Sequence, residues 1–140
     1  MIAYVDSSVL LRVVFGEPGQ LAEWRRIDQG VASELARVEC LRAVDRQRLR
    51  AALGDEEVAR RHAAVFQALD RLYLVPLTSD VLSRAAQPFP TSLGTLDAIH
   101  LATALVWQES DRPRLETLVT HDMELGRAAR ATGLSALGFD

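Results

Sequence analysis

The most informative absence in this 140-residue sequence is lysine, because all 16 basic residues are arginine. Without lysine the chain has no Walker A phosphate loop, which needs a lysine on the nucleotide phosphates, and it is not a Schiff-base enzyme. A phosphate-accepting receiver domain or a haloacid-dehalogenase-like phosphatase would also lack its usual lysine. Asparagine is absent too, and the joint loss of two residues with AT-rich codons is typical of a GC-rich genome.

Cysteine is nearly absent, and long apolar runs are missing. The single cysteine, Cys40, excludes an internal disulfide and a thiolate zinc cluster. No apolar run has the length of a membrane span, and the first residues, MIAYVD, lack the basic start of a signal peptide. We therefore expect a cytoplasmic protein with no membrane partner. The net charge of −3, taken alone, argues against a nucleic-acid partner.

The order of predicted elements indicates a single α/β domain over residues 1–140. Short apolar runs predict strands at 2–5, 31–32, 72–77, 115–120 and 134–137. Apolar periodicity and end signals predict helices at 7–15, 20–29, 33–53, 55–73, 80–87, 95–108 and 124–131. Ser33 and Asp55 are the expected N-caps of two of these helices. Alternating strands and helices favour a three-layer α/β/α fold with a central parallel sheet.

Four acidic residues are predicted to gather at the carboxyl edge of this sheet, where open parallel sheets bind ligands. Asp6 ends the first strand, and Asp122 follows the fourth. Asp97 lies in the first turn of a mostly apolar helix, and Glu39 lies in the helix after the second strand. Because the four acids are predicted to lie together, they could share one function, or each could have a separate structural role.

Each of these acids also has an ordinary structural explanation. The three aspartates could serve helix N-termini, and Glu39 could form an ion pair with Arg42 three residues further on. Taken singly, these explanations are the better ones. Taken together they are weaker, because a carboxylate in surroundings as apolar as those of Asp97 requires a partner or a cation.

A set of converging carboxylates indicates a divalent metal site. Like charges repel unless a cation neutralises them, and hard oxygen donors select Mg²⁺ or Mn²⁺ rather than zinc. Such ions lower the pKa of bound water and support in-line displacement at a phosphate. Thiol and serine-triad chemistry are not favoured, because Cys40 points about 100° away from Glu39 on its helix and no nucleophile elbow surrounds Ser7 or Ser8.

Four segments carry these acids: YVDSSVLLR at 4–12, SELARVEC at 33–40, LDAIHLATAL at 96–105 and LVTHD at 118–122. In order, spacing and total chain length they resemble the motifs of PIN-domain ribonucleases, in particular the VapC-type toxins of toxin–antitoxin pairs. The resemblance implies a three-layer α/β/α fold and a Mg²⁺- or Mn²⁺-dependent endoribonuclease. It also implies a cognate antitoxin partner and, commonly, a toxin homodimer.

The resemblance assigns the catalytic and metal-binding residues to Asp6, Glu39, Asp97 and Asp122. The first and third of these would be the principal metal ligands, and the other two would complete the site or act through bound water. Ser8 and Thr120 match the polar positions beside the first and last acids. They would hold a carboxylate or a water, although helix capping explains them at least as well.

The histidines near these motifs receive no catalytic role from the sequence. His121 occupies a variable position of the last motif. His100 lies one turn beyond Asp97, where it could donate a hydrogen bond to that carboxylate. A core histidine with satisfied hydrogen bonds is the preferred interpretation.

Helical spacing predicts a row of arginines beside Glu39. On a helix that starts near residue 33, Glu39, Arg42, Arg46 and Arg50 lie within roughly 80° of one another. Because guanidinium groups bind phosphates bidentately, this row could guide an RNA backbone towards the metal site. A solvated charged helix face explains the same pattern equally well.

The leading functional hypothesis is an endoribonuclease in which a metal-activated water attacks the phosphate and leaves a 5′-phosphate and a 3′-hydroxyl. The alternative is a non-catalytic module of the same fold that binds a partner protein or RNA, with apolar stripes on helices 20–29, 33–53 and 55–73 as its groove. The four intact acids favour the enzyme.

Overall fold

The computed structural model describes the whole chain, residues 1–140, as five strands, six α-helices and one 3₁₀ turn. The strands are β1 (Ile2–Val5), β2 (Gln29–Ser33), β3 (Leu72–Val75), β4 (Thr117–Val119) and β5 (Ala136–Leu137). The α-helices are α1 (Ser7–Val14), α2 (Leu35–Ala51), α3 (Asp55–Asp70), α4 (Ser79–Ala85), α5 (Thr95–Gln108) and α6 (Met123–Ala131). No helix has the length and apolar character that crossing a bilayer requires.

The five strands form one parallel sheet in the order β3-β2-β1-β4-β5. At its centre, Tyr4 of β1 lies opposite Val31 of β2 and Leu118 of β4. The chain runs outwards from β1 to β3 and then returns to the other side of β1. The strand order therefore reverses between β1 and β4, and a reversal of this kind opens a crevice at the carboxyl edge of the sheet.

The two faces of the sheet carry separate cores, because side chains of a strand alternate between its faces. Ala3 and Val5 pack with buried residues of α1, α2 and α3. Tyr4 packs on the opposite face with buried residues of α5 and α6, and α4 lies against α5. The predicted three-layer α/β/α architecture is thus confirmed.

The helix predicted at 95–108 is confirmed as α5, which has the same bounds. It is buried on several sides, as its nearly continuous apolar sequence predicts. This burial carries Asp97, in the first turn, and His100, one turn later, to the crevice between β1 and β4.

The helix predicted at 20–29 is wrong. Only a 3₁₀ turn forms there, over Trp24–Arg26, and β2 begins at Gln29. The physical reason is the spacing of Leu21, Trp24 and Ile27, since an interval of three residues fits the three-residue turn of a 3₁₀ helix better than an α-helix. The apolar groove that the alternative function placed partly on this segment loses one of its three helices.

Two predicted N-caps are displaced by one residue. Glu34 occupies the N-cap position of α2, although Ser33 Oγ does accept a hydrogen bond from the Leu35 N–H at 3.1 Å. Gly54 is the N-cap of α3, and Asp55 is the first residue inside that helix. There the negative charge of Asp55 favours the helix dipole without making a cap.

Candidate active site

Asp6 lies where β1 leaves the sheet, and its side chain is buried in the crevice. The residue is 3% exposed and occupies the N-cap position of α1, but its carboxylate makes no capping hydrogen bond. Instead its Oδ2 accepts hydrogen bonds from Ser8 Oγ at 2.6 Å and Thr120 Oγ1 at 2.8 Å. The helix-cap explanation of Asp6 is therefore wrong, and its Oδ1 has only long contacts, with Ser7 Oγ at 3.5 Å and His100 Nε2 at 3.6 Å.

The two hydroxyls that hold Asp6 are themselves held by backbone N–H groups. Ser8 Oγ accepts from the His121 N–H, and Thr120 Oγ1 accepts from the Asp122 N–H, each at 2.9 Å. A hydroxyl has one hydrogen to donate, and with these backbone donors in place each hydroxyl directs that hydrogen to Asp6. The structure thus brings both sequence-predicted supporting residues together with the first acid.

Asp122 combines a structural and a site position. It is the N-cap of α6, and its Oδ1 accepts the Leu125 N–H at 2.8 Å. The capping explanation is confirmed for this one oxygen. The other oxygen accepts no hydrogen bond within the protein, so it is available to a ligand in the crevice.

Asp97 is the acid whose charge is least compensated. It lies in the first turn of α5, where no protein group donates a hydrogen bond to its carboxylate. Burial, the carboxylates of Asp122 and Asp6, and to a smaller extent Glu39 raise the pKa of Asp97 from 3.8 to about 6, although His100 opposes the shift. Burial is the largest cause of this upward shift, and the neighbouring carboxylates add to it more than His100 takes away.

Glu39 reaches the same cluster from α2, and His100 holds it there. The His100 Nε2 lies 2.5 Å from Glu39 Oε1 and 3.6 Å from Asp6 Oδ1. On the other side of the ring, Nδ1 lies 2.7 Å from the Tyr4 hydroxyl. Burial lowers the pKa of His100, but the hydrogen bond to Glu39 and the charge of Asp6 outweigh this effect and raise it.

His100 is therefore a satisfied core histidine, as predicted, but its partner is Glu39 rather than Asp97. The contact with the acidic site is what sequence reasoning missed. No local pattern in the sequence signals this contact, because it depends on which helix covers which face of the sheet. His121 has no contact with the acids through its ring, whose Nδ1 lies 2.7 Å from the Gly138 carbonyl oxygen.

The donor set fits a hydrated divalent ion better than a fully protein-bound one. No three His, Cys, Asp or Glu side chains stand in an arrangement that would hold one metal ion together. Magnesium, however, is commonly bound by one or two carboxylates, with water completing its octahedron. Asp6 Oδ1 and the carboxylate of Asp97 are the oxygens best suited to direct ligation.

The predicted arginine row lies beside this site. Arg42, Arg46, Glu39 and Ser8 line one groove of about 360 Å³ between α1 and α2. Arg46 and Ser8 also line the adjoining groove, to which Arg50 contributes. All three arginines are exposed, and only Arg42 forms an ion pair, with an aspartate three residues further along α2.

Four acids gather where the strand order of this parallel sheet reverses, and such an edge is a place where a divalent ion can be held. A model of the PIN domain family matches residues 3–131, which is most of the chain. The chain therefore belongs to the PIN-domain family.

Two curated relatives and one solved structure illustrate the similarity. Ribonuclease VapC47 of Mycobacterium tuberculosis (strain CDC 1551 / Oshkosh) is 34% identical over 137 residues, covering 93% of this chain and 91% of the relative. Ribonuclease VapC46 of strain ATCC 25618 / H37Rv is also 34% identical over 137 residues, with 96% and 95% covered. A toxin–antitoxin complex from Klebsiella pneumoniae shares the fold at 16% identity, with a TM-score of 0.68 over 96% of this chain and 95% of that one.

Proposed function

We propose that this chain is a Mg²⁺- or Mn²⁺-dependent endoribonuclease that acts as the toxin of a toxin–antitoxin pair. The observation that carries the proposal is the half-buried carboxylate of Asp97, which receives no hydrogen bond from the protein and interacts with three other acids at the crevice. The relatives named as VapC ribonucleases, which align over nearly the whole chain, support RNA as the substrate. Hydrolysis would leave a 5′-phosphate and a 3′-hydroxyl.

The four acids would bind the ion or its water through different oxygens in the crevice. A divalent ion bound there would lower the pKa of a bound water and neutralise charge on the phosphate. Asp6 offers Oδ1 because Oδ2 is occupied by two hydroxyls, and Asp97 offers both oxygens because no protein donor competes for them. Glu39 and Asp122 each retain one oxygen, which would complete the site or hold a water.

The arginine row would place the RNA backbone along the α1–α2 grooves. Arg42, Arg46 and Arg50 are exposed, and the first two share a groove with Glu39. Guanidinium groups there would bind phosphates on the approach to the acids. Phosphate contacts orient a nucleic acid but do not distinguish its sequence. This surface would therefore position the RNA without selecting which RNA is cleaved.

The same proposal includes a cognate antitoxin, a toxin homodimer and a cytoplasmic location. An RNA-cutting toxin requires a partner that restrains it until release. The test is the reading frame immediately upstream, which should encode a small protein that co-purifies with this chain. Light scattering of the purified chain measures the dimer directly, and a monomer at micromolar concentration would contradict that part.

RNA cleavage is the decisive experiment for the enzymatic proposal. Purified protein should cut total bacterial RNA with Mg²⁺ or Mn²⁺, leave 5′-phosphate ends, and lose activity in EDTA. The Asp97→Asn variant should be inactive, whereas Asp80→Asn, which also changes an aspartate in the first turn of a helix, should stay active. Equal cleavage by the Asp97→Asn protein would mean a contaminating nuclease and would contradict the proposal.

A separate binding experiment tests the arginine row. The Arg46→Ala, Arg50→Ala double variant should bind single-stranded RNA more weakly, and its log–log salt slope should be shallower by about 1.4, because each lost phosphate contact contributes about 0.7. Changing Arg25 and Arg26 instead supplies the control, since they precede β2 and lie at the opposite edge of the sheet. An unchanged slope in the first variant would refute the RNA path.

A further inference from the structure

A continuous chain of hydrogen bonds runs from the backbone of β2 to the acidic crevice. The Ser33 N–H donates to the Tyr4 oxygen at 3.2 Å. The Tyr4 hydroxyl contacts His100 Nδ1 at 2.7 Å, and His100 Nε2 contacts Glu39 Oε1 at 2.5 Å. Tyr4 and His100 are both fully buried, so water does not interrupt this chain.

The Glu39 carboxylate only accepts hydrogen bonds, so its short contact with His100 requires a hydrogen on Nε2. The Tyr4 oxygen already accepts the Ser33 N–H, so its own hydrogen is free to be donated to His100 Nδ1. In a neutral imidazole Nδ1 then accepts from Tyr4 and Nε2 carries the hydrogen, and in an imidazolium Nε2 carries a hydrogen as well. The hydrogen on Nε2 then points at Glu39.

Glu39 needs an anchor of this kind. Its carboxylate lies in the same cluster as Asp6 and Asp97 and contributes to raising the pKa of Asp97, so like-charge repulsion favours rotamers that turn it towards solvent. The side chain is 22% exposed, which leaves that route open. The contact with His100 is the hydrogen bond that holds it inwards, because no other protein group donates to Glu39.

We propose that His100 is a positioning residue, which binds Oε1 of Glu39 and thereby presents Oε2 to the crevice, with Tyr4 locking the ring. This inference rests on the proposed function, because it assigns a task to a metal-dependent site. Glu39 then acts on the ion or its water through one fixed oxygen. A hydrogen-bonded partner behind a metal-site carboxylate commonly changes metal affinity or activity 10–100-fold.

Two amide substitutions separate positioning from core packing. The His100→Gln variant keeps a nitrogen near the position of Nε2, where it can donate to Glu39, but it has no atom in place of Nδ1 to contact Tyr4. Asn keeps a polar atom near the place of Nδ1 and does not reach Glu39. We expect His100→Asn to weaken Mn²⁺ binding about 10–100-fold, measured by electron paramagnetic resonance of free Mn²⁺, and His100→Gln to recover most of the affinity.

A double-mutant cycle with Glu39→Gln tests whether His100 acts through Glu39. If it does, His100→Asn costs little further Mn²⁺ affinity once the carboxylate of Glu39 is gone. Urea unfolding in EDTA records the stability of each variant, so that loss of fold is not mistaken for loss of binding. Equal Mn²⁺ affinities for the Asn and Gln variants, or additive effects in the cycle, would overturn the inference.

The wild-type protein gives a test that needs no variant. Long-range ¹H–¹⁵N spectra of the imidazole should show the hydrogen of His100 on Nε2, and a ring protonated on Nδ1 alone would overturn the inference. The proposed function has its own readouts, which are Mn²⁺ binding and RNA cleavage by the wild type. If the wild type binds Mn²⁺ and cleaves RNA, and His100→Asn binds Mn²⁺ equally well, only the positioning role of His100 is refuted. If the wild type does neither, the proposed function and the positioning role are both refuted.

Discussion

Replacing Asp97 with asparagine should stabilise the metal-free protein while removing its activity. The negative charge of Asp97 is unfavourable in the folded state without metal, because burial and the carboxylates of Asp122 and Asp6 raise its pKa to about 6. Asparagine keeps the size and removes the charge. At neutral pH the Asp97→Asn variant should therefore have a higher free energy of unfolding than wild type.

The pKa sets the size of that gain. A shift of about two units corresponds to at most about 3 kcal/mol, and because Asp97 is partly exposed, solvent screening reduces it to about 1–2 kcal/mol. The lost interaction with the α5 dipole, about 0.5 kcal/mol, is smaller. For a chain of this size the variant should melt about 3–6 °C higher than wild type.

The pH dependence fixes the sign of the effect. The folded protein keeps the Asp97 proton up to a pH of about 6, given its raised pKa, whereas the unfolded chain releases it near 3.9. Wild type therefore loses stability relative to the variant as pH rises through this interval. The two proteins should melt alike at pH 3.5 and differ fully above pH 7, measured by circular dichroism in EDTA.

Added metal should reverse the order of stability. Saturating Mn²⁺ at about 100 times its dissociation constant stabilises a binding protein by about 2.7 kcal/mol, and only wild type should respond. The matched control is Asp80→Asn, which removes an exposed first-turn aspartate of α4 and should be slightly destabilising at every neutral pH. An Asp97→Asn protein that is less stable than wild type in EDTA, or a pH-independent difference, would refute this account.

Three further outcomes follow from single contacts. Thr120→Ala should lower the free energy of unfolding in urea by about 1–3 kcal/mol, because it leaves the Asp122 N–H without an acceptor and removes a donor to Asp6. Thr120→Ser should restore most of that stability. Gly138→Ala should destabilise by more than about 1 kcal/mol in the same assay, because its φ is +99° and a Cβ would lie 2.7 Å from the Thr120 carbonyl oxygen. Cys40, 1% exposed with a pKa raised to about 12 by burial and by nearby carboxylates, should react with Ellman's reagent only after denaturation; rapid labelling of the native protein would contradict its burial.

The parts of the fold that could be predicted are those with an unambiguous local pattern. The helix over Thr95–Gln108 is apolar on most sides, and its bounds were predicted correctly. The strand predicted at 115–120 is longer than β4, which spans Thr117–Val119. Leu115 is buried by tertiary packing and does not take part in the pairing of the strands. Local pattern records that a residue is apolar, and it does not record which neighbour covers it.

The acids of the site could be placed from the sequence because each lies near the end of a strand or the start of a helix. Asp6 follows β1 directly and Asp122 comes three residues after the end of β4, and the carboxyl ends of parallel strands share one edge. The bond between His100 and Glu39 could not be placed in the same way. It joins helices on opposite faces of the sheet, and whether they meet at the crevice depends on strand order, which no local pattern contains.

The distribution of ion pairs explains how an acidic protein can act on RNA. Every arginine–carboxylate pair in the structure uses acids outside the site, and the four acids of the crevice have no cationic contact except His100. Without those four, 15 acidic residues remain against 16 arginines, so the surface outside the crevice is close to neutral. No arginine forms an ion pair with these four acids, and the chain has no lysine, so the proposed divalent ion would supply the positive charge that neighbouring carboxylates require.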